Sequence, residues 1–394
     1  IFTKVLPSAD AIQYVVYNTD SFDELLPEDL EALKRGKPGL KILSFEELRS
    51  LGEENPVVPT PPHANDLCCI MYTSGTGGSP KGVLLKHSNV VAAVAGATSV
   101  VMPSIHPGDG LLAYLPLAHI FELVFENSTI YWGGTLGYGN RRTLSDSSVR
   151  NCRGDIAEFR PTLLVGVPAV WETVKKGILS NVEHGSFLTQ KIFWGAFYAK
   201  KFLIENGLPG HGLLDAIVFN KVKQATGGRL KFCMNGAAPL SKETHEFISF
   251  AITPMILGYG LTETSAMGAL CDPLAWTSTA CGEPPSCVEV KLVDFGEAGY
   301  FTNTTPPQGE ILLRGPSVMD GYYENDEETK AVFTADRWYK TGDIGEWDTD
   351  GHLKIIDRKK NLVKTLNGEY IALEKVCYIC SFLSIIAVAD RLVA

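Results

Sequence analysis

Between Tyr72 and Gly82 the chain reads Tyr-Thr-Ser-Gly-Thr-Gly-Gly-Ser-Pro-Lys-Gly, a stretch that combines hydroxyls, flexible backbone and one lysine. That mixture suits a polyphosphate such as the tail of ATP. Gly75, Gly77 and Gly78 let backbone N–H groups close on an anion, Thr73, Ser74 and Thr76 offer O–H donors, and Lys81 supplies a point charge. The stretch is not a Walker A loop: counting from Gly75, the sixth residue is Pro80, and Lys81 is followed by Gly82. Two further polar clusters pose related chemistry. Gly236-Ala237-Ala238-Pro239 offers close backbone approach to a flat base, and Tyr259-Gly260-Leu261-Thr262-Glu263 offers an aromatic face, a hydroxyl and a carboxylate. Beside a polyphosphate, Glu263 would help to hold Mg²⁺, which takes oxygen ligands. Alone, it reads as a solvated loop residue.

The elements that must position these residues alternate short apolar runs with helical patterns, the signature of a layered α/β fold. Leu67 to Tyr72 and Val83 to Lys86 read as strands, so the glycine-rich loop joins two strands, and a helix starts near Ser88. Ile12 to Tyr17 reads as a strand, and Ser44-x-x-Glu47 as a capping box opening a helix through Leu51. Leu163 to Val167 is followed by Pro168, placed for the first turn of a helix from Ala169 to Ile178. Leu230 to Met234 and Pro254 to Tyr259 are strands that end in the two polar clusters, where ligands of α/β sheets bind. From about Val288 the texture becomes β-rich, with strands at Val288 to Val293, Gly309 to Arg314 and Gly351 to Ile356. The expected domains are therefore 1–287 (α/β), 288–356 (β-rich), a polar hinge at 357–361, and a further unit from 362 to 394.

Composition fits a folded enzyme: 394 residues, 45% hydrophobic, 20% charged, net charge −10. An acidic chain of this kind offers nothing to nucleic acid. The sequence starts at Ile1 without an initiator Met, a basic n-region or a cleavage-site pattern, and reads as a piece of a longer chain. Nine scattered cysteines suit a reducing compartment, and Cys377-x-x-Cys380 has no second pair or nearby histidine to complete a metal site. The uncharged run from Ser88 to Gly108 is interrupted by Pro103 and Pro107 and reads as a buried helix, not a membrane span.

Taken in order, YTSGTGGSPKG (72–82), YLPLAHIFE (114–122), GVPAVWE (166–172), NGAAPLS (235–241), GYGLTET (258–264), RGPSVMDGYY (314–323) and the block from Trp338 to Lys375 resemble the adenylate-forming superfamily. Within it, the chain is similar to fungal long-chain fatty acyl-CoA synthetases, from about Ile12 to about Val376. The resemblance implies an AMP-forming fatty acid:CoA ligase. ATP and coenzyme A would be cosubstrates and Mg²⁺ the metal, held by Thr76 and Glu263. It implies nucleotide contacts from Thr73, Ser74, Gly75, Thr76, Gly77, Gly78 and Lys81, adenine stacking by Tyr259 with Gly236, Ala237 and Ala238 along the base edge, and contacts from Gly260 and Thr262. Asp343 and Arg358 would hold the ribose, a carboxylate accepting two hydroxyl protons and an arginine donating in a fixed fork. His119 would stand beside the acyl carboxylate, so that Lys81, His119, Thr262 and Glu263 form the catalytic set, and Lys360 would be the hinge. Peripheral attachment to the cytoplasmic side of endoplasmic reticulum, lipid droplet or another membrane also follows from the likeness.

A buried alkyl tail gains about 0.8 kcal/mol per CH₂, so a long acid needs a long apolar tunnel. Val165, Gly166, Val167 and Trp171 are candidates for its lining, as are the aromatics Phe193, Trp194, Phe197 and Tyr198, although aromatics at that helical spacing are more often ordinary core. The sequence departs from the family at Arg337, where glycine is usual, in lacking the adenylation lysine of the carboxy-terminal domain, and in the pattern after Val376. Alternatives are an adenylating enzyme for another acid or a carrier protein, and a non-catalytic nucleotide- or acyl-binding module.

Overall fold

The computed structural model describes residues 2–18, 26–73, 80–364 and 370–372. The chain forms two compact units, Ile1–Pro62 and His63–Ala394, so its first division falls within the stretch that the sequence reads as one α/β domain. In the first unit, β1 (Tyr14–Tyr17) and β2 (Lys41–Ser44) pair in parallel. The helix Phe45–Glu54 opens on the expected capping box: the Glu47 N–H donates to Ser44 Oγ at 3.1 Å, and the Ser44 N–H to Glu47 Oε2 at 2.7 Å.

The second unit starts with an antiparallel hairpin, β3 (Leu67–Thr73) and β4 (Lys81–Lys86), in which Thr73 lies opposite Lys81. The helix His87–Val101 follows, with its Ala93 and Ala97 face fully buried. Strands β5 (Gly110–Ala113), β6 (Thr135–Tyr138), β7 (Leu163–Gly166), β8 (Phe232–Asn235), β9 (Met255–Tyr259) and β10 (Ala269–Leu270) make the central sheet, in the order β10-β9-β8-β7-β5-β6. All neighbours are parallel except β10 with β9. Every residue of β5, β7 and β8 is buried, as expected of parallel strands covered on both faces. Pro168 opens the helix Pro168–Glu183, and Ser241 caps the helix Lys242–Ala251, its hydroxyl accepting the Thr244 N–H at 3.2 Å.

The β-rich texture is an antiparallel sheet in the order β11 (Glu289–Val293), β12 (Gln308–Arg314), β14 (Tyr339–Trp347), β15 (Leu353–Arg358); the short β13 (Gly321–Tyr322) joins β4 instead. Strand β14 was not legible as a strand, because Thr341-Gly342-Asp343 interrupts its apolar alternation. Two residues of the expected hinge are strand: Asp357 and Arg358 end β15, Asp357 is 1% exposed, and only Lys359–Asn361 form a turn. Strands β16 (Leu362–Lys364) and β17 (Tyr370–Ala372) pair antiparallel; most of 365–394, including Cys377 and Cys380, lies outside the described residues. Arg337 adopts φ +65°, the left-handed region that its replacement of glycine put in question. Its guanidinium stacks 4.1 Å from the Phe333 ring centre, which offsets part of that strain.

Candidate active site

A cavity of about 730 Å³ opens where the central sheet, the hairpin and the β-rich sheet meet. Thr73, Lys81, His119, Gly236, Ala237, Gly260, Thr262, Glu263, Asp343, Arg358 and Lys360 all line it. The pair expected to meet the ribose is set by strand register. Antiparallel β14 and β15 set Asp343 opposite Arg358, and Arg358 Nε reaches Asp343 Oδ1 at 3.1 Å. Asp343 is 3% exposed, and its Oδ2 accepts the Tyr259 hydroxyl at 2.8 Å. Burial, then the neighbouring Asp343, hold the Tyr259 phenol well above the usual tyrosine range, so it stays protonated and donates. Tyr259 itself is packed against the sheet end and is not part of the cavity wall; its neighbours Gly258 and Gly260 are.

The other end is built around Glu263 in the turn Thr262–Thr264. Its backbone carbonyl accepts the Met319 N–H at 2.8 Å, and its Oε1 accepts the Tyr322 hydroxyl at 2.8 Å. Lys81 lies 5.3 Å from the centre of the same Tyr322 ring and is paired with Glu328, from the helix Asp326–Val332. Glu263 fits a hard cation on chemical grounds: it is a nearly buried carboxylate with Oε1 fixed by a phenol and a second oxygen remaining. Its proposed co-ligand Thr76 lies outside the described residues, as do Ser74, Gly75, Gly77 and Gly78.

His119 caps the helix Ile120–Tyr131, its Nδ1 accepting the Phe121 N–H at 3.3 Å, and burial lowers its pKa, favouring the neutral ring. The loops after β8 and β9 are tight. A side chain at Gly236 would come within 2.8 Å of the Phe121 ring, and one at Gly260 within 2.1 Å of the Ala266 carbonyl oxygen. Ala237, Ser265 and Ala266 adopt φ +67°, +52° and +64°, a concentration of left-handed residues typical of functional loops.

Some expected residues are elsewhere. Ala238 is exposed outside the cavity, its carbonyl accepting from Asn235 Nδ2 at 3.0 Å. The tunnel candidates Val165, Gly166, Val167 and Trp171 do not line the cavity. Val165 and Trp171 are solid core, and the space beside Gly166 is filled by the Trp171 ring, 2.8 Å from where a Cβ would stand. Phe193 and Phe197 are core, as expected, while Tyr198 is exposed. The sequence assigned no role to Tyr322 or Glu328. Tyr322 lies inside the quoted motif RGPSVMDGYY, a signal that could have found it; Glu328 meets Lys81 from 247 residues away and had none.

The fold is that of adenylate-forming enzymes. It is similar, at a TM-score of 0.69 and 28% identity, to the adenylation domain of a carboxylate reductase from Mycobacterium chelonae, covering 95% of this chain and 54% of that one. The family model for AMP-binding enzymes matches residues 4–323, and the chain belongs to that family. It is 49% identical to long-chain-fatty-acid–CoA ligase 1 of Saccharomyces cerevisiae, over 95% of this chain and 55% of the yeast protein. It is 52% identical to long-chain-fatty-acid–CoA ligase 2 of Schizosaccharomyces pombe, over 89% of this chain and 51% of that protein. The chain thus spans about half the length of the curated relatives it matches.

Proposed function

We propose that this chain is part of an AMP-forming ligase that activates long-chain fatty acids to acyl-CoA. The observation that carries the reading is the convergence of Lys81, Thr262 and Glu263 with the Asp343–Arg358 pair on one cavity, inside an AMP-binding fold. A carboxylate is a weak electrophile. Its oxygen attacks the α-phosphorus of ATP, the bond to the β-phosphate oxygen breaks, and pyrophosphate leaves. The thiol of coenzyme A then attacks the acyl carbon, the bond to AMP breaks, and the thiol proton passes to solvent. No protein nucleophile is needed, so positioning and charge stabilisation carry the first step. Lys81 would meet the polyphosphate, Asp343 and Arg358 the ribose, and the neutral ring of His119 the acyl carboxylate. Mg²⁺, with Glu263 as a ligand, would neutralise polyphosphate charge. Lys360, in the turn that leaves β15, would belong to the hinge between the two half-reactions.

Long-chain acids are the proposed substrates because both yeast relatives bear that name. Peripheral association with a membrane or lipid droplet belongs to the same reading; among the described residues no helix is long and apolar enough to cross a membrane. A panel of acids supplied to the full-length protein with ATP, Mg²⁺ and coenzyme A tests it. Thioester formed from palmitate in preference to short and aromatic acids is expected; the reverse order would replace the substrate class and leave adenylation standing.

A further inference from the structure

Three charged side chains from three separate elements line the same cavity: Lys81 at the start of β4, Glu328 in the helix Asp326–Val332, and Lys360 in the turn after β15. Glu328 is the present counter-ion of Lys81. Its carboxylate keeps substantial contact with solvent, 38% exposed against 17% for the lysine side chain, so little hydration must be recovered when it leaves. Its backbone N–H is tied into the helix N-cap, donating to Asn325 Oδ1 at 3.1 Å, so the group free to exchange is the side chain. Lys360 has no ion pair among the described residues. Burial, then the positive charge of Lys81, lower its pKa, while Glu328 acts in the opposite direction. The carboxylate and both lysines line one cavity, so a second ammonium stands in the space that the carboxylate occupies with Lys81.

An ammonium has three donors but one charge, so a polyphosphate arriving at Lys81 competes with Glu328. We propose that Glu328 is a displaceable counter-ion: the nucleotide polyphosphate takes its place on Lys81, and the released carboxylate moves to Lys360, tying nucleotide occupancy to the Lys359–Asn361 turn. This rests on the reading that Lys81 meets the polyphosphate. Glu328 thereby weakens nucleotide binding at rest and returns part of that cost through Lys360. A residue that only oriented Lys81 would strengthen binding instead.

The test is calorimetric titration of Mg-ATP into the full-length protein at fixed ionic strength, in wild type, E328Q, K360M and the double variant. E328Q retains the backbone bond to Asn325 and is expected to fold. It should bind about three- to fivefold more tightly, the range of a partly exposed ion pair. K360M should weaken binding in the wild-type background and leave E328Q unchanged, a non-additive pattern. Unchanged or weaker binding by E328Q overturns the exchange, and equal weakening by K360M in both backgrounds overturns the transfer. Wild-type protein that binds no Mg-ATP would overturn the proposed function itself, a result distinct from either.

Discussion

Asp343 and Glu122 are both buried carboxylates near the candidate site, and their surroundings differ completely. Asp343, on β14, is 3% exposed and holds the Tyr259 hydroxyl and the Arg358 guanidinium. Glu122, in the first turn of the helix that His119 caps, is 0% exposed, and neither of its oxygens has a hydrogen-bond partner among the described residues. Burial, then the charge of Glu126 one turn on, raise the Glu122 pKa to about 7; the backbone amides of Leu115 and Tyr114 oppose the shift without closing a hydrogen bond. The contrast teaches that burial alone does not make a carboxylate useful. Arg358 on the facing strand and Tyr259 at the end of β9 give Asp343 two partners at the cavity wall, whereas burial without such partners pushes the Glu122 pKa up to about 7.

Removing the paired group should have the largest effect. Asp343→Ala leaves the buried Tyr259 phenol without its acceptor and the solvent-exposed Arg358 guanidinium without its partner, a loss of about 1–3 kcal/mol. Steady-state kinetics on the full-length protein should show kcat/KM for ATP falling by at least about a hundredfold; a change under tenfold would mean that the pair is scaffolding and no ribose contact. Glu122 should speak through pH. Its folded pKa lies above its ordinary 4.5, so the folded state binds the extra proton, and stability falls as pH rises from about 4.5 through 7. The loss is on the order of 3 kcal/mol. Glu122→Gln should flatten the dependence of the denaturation midpoint on pH across that interval, and an unchanged slope would assign it to other groups. The smallest effect belongs to a pair that is neither buried nor isolated. Glu289 meets Arg314 with side chains 62% and 43% exposed, and Glu289→Gln should shift stability by less than about 1 kcal/mol in chemical denaturation.

Much of this was legible in the sequence where one local rule decides. The Ser44–Glu47 capping box, Pro168 at a first helical turn and the all-apolar run of β7 each settle an element without distant help. The polar clusters after β8 and β9 could be expected at strand ends, and Gly236, Gly260, Thr262 and Glu263 do line the cavity. What could not be read depends on pairing between remote segments. Asp343 and Arg358 were brought together only by the resemblance, and antiparallel register is what sets them face to face; Lys81 meets Glu328 through a helix far along the chain, and Trp171 fills the space beside Gly166. Composition and periodicity carry no register, and of the tunnel candidates chosen by apolarity Val165 and Trp171 lie in the core while Val167 is partly buried beside it.

The central claim is that this cavity activates a carboxylate with ATP. The most direct test is hydroxylamine trapping of acyl-adenylate by the full-length protein, given ATP, Mg²⁺ and palmitate without coenzyme A, with Lys81→Ala and Glu263→Ala alongside. The account predicts palmitate-dependent hydroxamate that falls at least about tenfold in each variant. Undiminished hydroxamate in both variants would place the chemistry elsewhere, and no hydroxamate from any acid while ATP still binds would contradict the account.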